Sequence, residues 1–232
     1  TPLTAVVGYA DLLRSADLDQ DASQQLGERI FKQGKRIEKL SELMLQLVFL
    51  EHHSFELVPC DLREVVMEAE TILQPSVKKA QMKLVVQVPE EPVMIRAERE
   101  LLLTLLGNLT DNARKASEEG QQVEVTGKFV DNMACNITKD KKGIGEAESA
   151  DDRKCMRAYE ICIIDHGIGM TKEQAAKICD EFYMADKSRA RKEGGAGIGM
   201  SLVAIILEHH NAVLSVESEP GCGTTMRILL PW

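Results

Sequence analysis

None of the six cysteines (Cys60, Cys135, Cys155, Cys162, Cys179 and Cys222) stands in a C-x-x-C pair or at a metal-ligand spacing. That pattern gives no support to a zinc ribbon or a disulfide framework and reads as free thiols in a reducing compartment. No apolar run reaches the length that spans a bilayer, and no charged-then-apolar leader opens the chain. Positive charge is also short: 28 Lys and Arg against 37 Asp and Glu leave a net charge of -9, so no face can be broadly basic and nucleic acid is not an expected partner. An initiator Met is absent too, and the opening Thr1-Pro2-Leu3 reads as the start of a piece of something longer. What remains is ordinary for a globular chain. The apolar share is 44%, and 232 residues suffice for one large domain or two small ones.

Helical periodicity dominates the N-terminal quarter. Leu3, Val6, Val7, Ala10, Leu12 and Leu13 form an apolar stripe over residues 1 to about 16. After a polar turn at Asp17 to Ala22, with Asp21 or Ser23 as the expected cap, a long helix is predicted to about Glu51. Leu26, Ile30, Ile37, Leu40, Met44 and Leu47 give it a seam, and Glu28, Lys32, Lys35, Lys39 and Glu42 line another face. Such a hairpin buries little alone. It calls either for a second copy, making a four-helix bundle, or for a place as a helical cap on the following domain. His52 and His53 read as exposed imidazoles at a helix C-terminus, where positive charge is welcome.

The rest mixes strands and helices. Strands are predicted at Phe55–Val58, Met82–Val88, Val93–Ala97, Gln122–Val130 and Tyr159–Ile164, with Pro89–Pro92 as a turn. Helices are predicted at Leu62–Lys79 behind an Asp61 cap, Arg99–Ser117, Lys172–Phe182, and from the glycine-rich stretch through His210. Ala212–Ser218 and Thr224–Leu230 close the chain as a hairpin. The mixture predicts an α+β sandwich with helices on one face of a mixed sheet. Residues 131–156 are polar, mixed in charge and without period, and read as a surface insertion.

Three stretches carry chemistry. On the helix Arg99–Ser117, Leu102, Leu105, Leu106, Leu109, Ala113 and Ala116 form the expected buried stripe, and Asn108, Asn112 and Lys115 share another face. A carboxamide oxygen is a hard neutral ligand suited to Mg²⁺ when phosphates and waters fill the other positions. A plain solvated face accounts for the same spacing, and Asp111 lies beside it. In Asp165-His166-Gly167-Ile168-Gly169-Met170 a carboxylate ends an apolar strand. Ionised, it only accepts hydrogen bonds, so it would take the exocyclic amine of adenine and repel guanine's carbonyl, while Gly167 and Gly169 let a planar base approach the backbone. A simple turn with a capping Asp explains Asp165 and Gly167 but not Gly169 with Met170. Last, Gly194 to Gly199 holds four glycines in six positions and opens an apolar helix. Exposed N–H groups at a helix N-terminus suit phosphate. No Lys-Ser/Thr pair closes it as a Walker A, and no strand precedes it as in a dinucleotide fold. Lys187, Arg189 and Arg191 lie on its approach.

Together these motifs resemble the core of a bacterial sensor histidine kinase: a dimerisation and phosphoacceptor hairpin, then a Bergerat-type ATP-binding domain. Asn108–Ala116 is similar to the family's N box, Asp165–Met170 to its G1 box, Phe182-Tyr183 to its F box, Gly195–Leu202 to its G2 box, and Glu219–Thr225 to its final glycine-rich turn. The resemblance runs over nearly the whole chain, interrupted by 131–156, and divides it into a hairpin at 1–53 and an ATP-binding domain at 54–232.

The resemblance implies Mg-ATP binding and transfer of the γ-phosphoryl group to a histidine, then to an aspartate on the receiver domain of a response regulator. It makes Asn112 the Mg²⁺ ligand, Asn108 a phosphate-supporting catalytic residue and Asp165 the reader of adenine. Lys115 and Tyr183 would line the nucleotide. Gly167, Gly169, Met170, Gly195, Gly197, Gly199 and Met200 would frame it, and Thr225 would meet the base through water. Met184 stands where an arginine is usual, so Lys187, Arg189 or Arg191 would have to meet the γ-phosphate. The family's phosphoacceptor box ends in Thr-Pro. Here Thr1-Pro2 matches that end, which puts the histidine upstream and gives Thr1 the position associated with regulator dephosphorylation. The resemblance further implies a homodimer through the hairpin and the cytoplasmic portion of a membrane-anchored sensor, with no membrane contact by residues 1–232. Another ATPase of the same superfamily and a non-catalytic scaffold are the alternatives; the seam-bearing hairpin opposes the first, and Asn112, Asp165 and the glycine loop oppose the second.

Overall fold

The computed structural model describes residues 2–53, 55–133, 138–139, 145–146, 156–180 and 198–232. Its N-terminal stripe forms α1 (Pro2–Ser15) and α2 (Gln20–His52), joined by a short turn and packed together. Asp19 caps α2 in place of the expected Asp21 or Ser23: its carboxylate accepts the Ala22 N–H at 2.7 Å. Asp21 instead falls in the first turn, where an acid also complements the helix dipole. The charged face pairs along α2 as Glu28–Lys32, Lys35–Glu38 and Lys39–Glu42. Pairs this exposed add little stability. No residue of α1 is buried, and of α2 only Leu50 is. Leu3, Val7, Phe31 and Leu45 stay 60–68% exposed.

The end of α2 is fastened to the rest of the chain. His53 stacks on Phe49, and Phe55 packs edge-on against Phe49 and against His209. The Leu50 carbonyl lies 2.9 Å from His209 Nε2. Phe55 is thus an anchor for a helix end, and the strand expected there begins later, as β1 (Val58–Asp61). Asp61 ends β1 and caps α3 (Leu62–Lys79), accepting from the Arg63 and Val93 N–H groups at 3.0 and 2.9 Å.

Six further strands and three helices build the sandwich, and two short strands within the insertion, β5 (Thr138–Lys139) and β6 (Gly145–Glu146), pair with each other as a separate sheet. β2 (Lys83–Gln87) runs parallel to β4 (Gln122–Met133), while β3 (Met94–Ala97) turns away to pair with β1. Pro89–Pro92 therefore links two sheets and is not a hairpin. After α4 (Arg99–Ala116), β7 (Met156–Asp165) lies antiparallel to β4. Both strands run into the expected insertion, with Met133 opposite Met156 beyond a register shift at Val130. The helix expected over Lys172–Phe182 is short, α5 (Lys172–Ala176), opened by a capping box between Thr171 and Gln174 and followed by turn residues 177–179; residues from 181 to 197 lie outside those described. α6 (Gly199–His209), β8 (Val213–Glu219) and β9 (Gly223–Pro231) complete the fold.

The main sheet has the order β2-β4-β7-β9-β8, mixed as predicted. Alternation sends Val123, Val125, Ile161, Ile163, Ile228 and Leu230 to the face where α4 contributes Leu102, Leu105 and Leu109 and α6 contributes Leu202 and Ile206. Each such side chain contributes about 1.5–3 kcal/mol by leaving water. The opposite face is polar, with Glu160 taking Lys128 and Arg227, and Arg227 also reaching Glu217. Cys60, Cys162, Cys179 and Cys222 are free thiols. Among the described residues no helix is long and apolar enough to cross a membrane.

Candidate functional site

Strand β7 carries Asp165 to the edge of the core. Its apolar residues bury the strand, and its last side chain arrives 5% exposed. Burial pushes the carboxyl above the ordinary carboxylate range, against the opposing pull of the Gly167 and Thr224 N–H groups and of His166. The Gly167 N–H donates to Asp165 Oδ1 at 2.9 Å. An acid held this way presents acceptors only when ionised.

The loop after Asp165 is threaded tightly between two elements. A Cβ on Gly167 would stand 2.2 Å from the Ala116 carbonyl oxygen at the end of α4, and the Ile168 N–H donates to that same oxygen. Gly169 has φ +62, and a Cβ there would stand 1.9 Å from the Glu219 carbonyl oxygen in the β8–β9 turn. The expected reason for these glycines was the approach of a base; the reason found in the structure is the approach of α4 and of the turn. The Met170 N–H donates to Ser218 Oγ, and the Gln121 carboxamide donates to the His166 carbonyl. The His166 ring leaves the loop for Glu124, at 3.0 Å.

On α4, Asn108 and Asn112 are half-buried on one face. Asn108 Nδ2 donates to the Thr104 carbonyl at 2.8 Å, which aims Oδ1 at the start of α6: a Cβ on Gly199 would stand 2.9 Å from it. Among the described residues the Asn112 carboxamide has no hydrogen-bond partner. Asp111 does not face them as a free acid. Its carboxylate takes Lys115 at 2.6 Å and Arg114 at 2.8 Å. Burial would raise its pKa, but these two cations outweigh burial and hold it below the ordinary range. Lys115, expected to line a nucleotide, is thus paired within its own helix.

Packing bears on two expected contacts. Met200 is 6% exposed and belongs to the apolar core, because the second position of α6 turns inward. Thr225 pairs with Ile164 and Glu217 on the outer face of the sheet, while Thr224 pairs with Asp165 and is 5% exposed. Neighbouring residues of a strand face opposite ways, so the threonine beside Asp165 is Thr224. Strict alternation down β9, with Thr224, Met226, Ile228 and Leu230 buried, was the signal in the sequence that could have found it. Ser218, also missed, lies on the same face. A cavity of about 390 Å³ at this end of the sheet is lined by Asp165, Ser218 and Thr224, and by Glu217 and Thr225 from the other face; it does not reach Asn108 or Asn112. Thr1, Tyr183, Lys187, Arg189, Arg191, Gly195 and Gly197 lie outside the described residues.

Chemically the site offers a buried acceptor at a strand end and carboxamides on a neighbouring helix. No cluster of three His, Cys, Asp or Glu side chains occurs among the described residues. The Asn112 carboxamide oxygen is a hard neutral donor of the kind Mg²⁺ accepts when phosphate oxygens and waters fill its other positions.

Comparison with known proteins places the chain in a family. A family model described as histidine kinase-, DNA gyrase B- and HSP90-like ATPase matches residues 97–232. The sensor-like histidine kinase SenX3 of Mycolicibacterium smegmatis is 26% identical over 100% of this chain and 54% of its own length. The chain thus spans about half the length of the curated relatives it matches. Among solved structures, the Acinetobacter baumannii histidine kinase AdeS superposes with a TM-score of 0.67 at 15% identity, over 100% of this chain and 95% of its own. The histidine kinase ThkA in complex with the response regulator TrrA gives 0.69 at 15% identity, over 100% of this chain and 57% of its own.

Proposed function

The chain belongs to the histidine kinase-, DNA gyrase B- and HSP90-like ATPase family, and from that premise we propose that it is the catalytic core of a sensor histidine kinase. Residues 1–53 are its hairpin and 54–232 its ATP-binding domain, with 131–156 an insertion. The observation that carries the reading is Asp165, an acid 5% exposed at the end of a core strand, anchored by backbone N–H groups and able to accept an adenine amine.

Asp165 selects the base. Asn112, unpartnered among the described residues, completes a Mg²⁺ shell, and Asn108 holds its oxygen toward the start of α6 beside the phosphates. Bound Mg²⁺ neutralises phosphate charge, which is most of what phosphoryl transfer asks of a site beyond positioning. Lys187, Arg189 and Arg191 supply cations for the γ-phosphate, with Tyr183, Gly195 and Gly197 over the nucleotide. None of the five histidines stands in a His-Glu-x-x-Thr-Pro box, so the acceptor is a histidine outside residues 1–232. The exposed apolar residues of α1 and α2 support a dimer through the hairpin. A response-regulator receiver domain takes the phosphoryl group onward, and the chain is the cytoplasmic part of a membrane-anchored bacterial sensor.

Titration calorimetry tests this directly. The chain is expected to bind ATP in the presence of Mg²⁺ and to bind GTP far more weakly. Absence of ATP binding would overturn the kinase reading.

A further inference from the structure

The hydrogen-bond inventory around Ser218 decides which way the protons point in the base pocket. A serine hydroxyl has one proton and two lone pairs. Ser218 Oγ donates its proton to the Gly223 carbonyl at 2.9 Å and accepts the Met170 N–H at 2.8 Å. Thr224 Oγ1 lies 2.9 Å away. With the serine proton already committed, that contact is satisfied when the threonine donates. Ser218 is then saturated, and Thr224 has spent its only proton. What Thr224 Oγ1 has left are lone pairs, beside an Asp165 that already accepts the Gly167 N–H and faces the Thr224 N–H. Ser218, Thr224 and Asp165 line one cavity.

We propose that Ser218 is the positioning residue that sets the polarity of this pocket: by holding the Thr224 proton it leaves a floor made only of acceptors. Such a floor accepts a purine with an amine at position 6, directly or through a water that turns its protons inward, and rejects a purine with a carbonyl there. Asp165 alone does not secure that discrimination. A threonine free to rotate would donate to the carbonyl and offset the repulsion. Ser218 sits on β8, away from both Asp165 and α4 in the chain, and acts through Thr224 without touching the base. The inference rests on the nucleotide-binding reading above.

The test compares ATP with inosine triphosphate, which carries a carbonyl in place of the amine, by calorimetry on the 232-residue chain and on Ser218→Ala and Ser218→Thr. Ser218→Ala is expected to lower the ATP-over-inosine preference about tenfold, the size of one hydrogen bond gained by the wrong base. Ser218→Thr, which keeps the hydroxyl, is expected to keep most of the preference. A folded Ser218→Ala protein with the wild-type preference overturns the inference, since a merely structural serine would change melting temperature and leave the ratio alone. Should Ser218→Ala not fold, Ser218→Cys decides: its thiol is a poor acceptor that no longer holds the Thr224 proton, so a reduced preference supports the assignment and an unchanged one overturns it. Wild-type chain that binds neither nucleotide overturns the nucleotide-binding reading itself, a result distinct from equal ratios in proteins that bind.

Discussion

At the scale of single residues, Asp165 carries two opposed pH dependences. Its folded pKa lies above the ordinary 3.8 because burial disfavours the charge. Between 3.8 and that higher value the folded state holds more protons than the unfolded one, so this group's contribution to stability falls as pH rises through the window. Binding runs the other way, because only the ionised acid is acceptor-only. Acidification is therefore expected to weaken ATP before it weakens the fold, starting at a pH higher than for an ordinary aspartate. Calorimetry across pH beside thermal melts would separate the two curves. Asp165→Asn is expected to flatten the binding curve and to cost about tenfold or more in ATP affinity; unchanged affinity would remove the role assigned to the carboxylate.

At the scale of elements, His210 ties the end of α6 to the start of α4. It is 2% exposed. Its Nε2 accepts the N–H of Glu98, the residue that caps α4, at 3.0 Å, so Nδ1 carries the proton, facing the Ile206 carbonyl at 2.8 Å. Burial depresses its pKa below 6.5, with His209 adding to the depression and the Ile206 carbonyl and Glu98 opposing it. The unfolded chain thus takes up a proton at a higher pH than the folded one. The stability this histidine contributes is fully present above about 6.5 and is lost as pH falls toward the lower folded value. Urea melts at a series of pH values are expected to show that loss, and His210→Asn to reduce it at the cost of some stability throughout. Which elements form was largely legible, because apolar residues at helical spacing on α3 and α4 and alternation on β7 and β9 survive without context. The Asp61 cap was also legible, since its one local contact is repeated by a long-range one to Val93. What escaped were details set by tertiary neighbours. Phe55 looks like a strand residue until Phe49 and His209 stand beside it. Lys115, expected beside the nucleotide, is paired with Asp111, a partner that its spacing alone does not single out. The resemblance points to Thr225, while the pleat puts Thr224 beside Asp165.

For the whole molecule, the exposed apolar residues of α1 and α2 dictate the expected assembly. Val7 and Leu45 are 60% and 68% exposed and have no reason to be apolar in a monomer's surface. Sedimentation is expected to return a dimer. Val7→Glu with Leu45→Glu is expected to return a monomer whose ATP affinity is unchanged, because neither residue lines the cavity beside Asp165. A wild-type chain that stays monomeric at high concentration would leave those side chains to a helical cap.

The contact between the Leu50 carbonyl and His209 has a mechanical consequence. His209 ends α6, and Gly199, pressed against Asn108, begins it. The 11 residues between make a strut about 16 Å long. A hydrogen-bonded helix this short scarcely bends, so its two ends cannot be displaced independently. A displacement of α2 at Leu50 would therefore be felt at Gly199, in the gap beside Asn108.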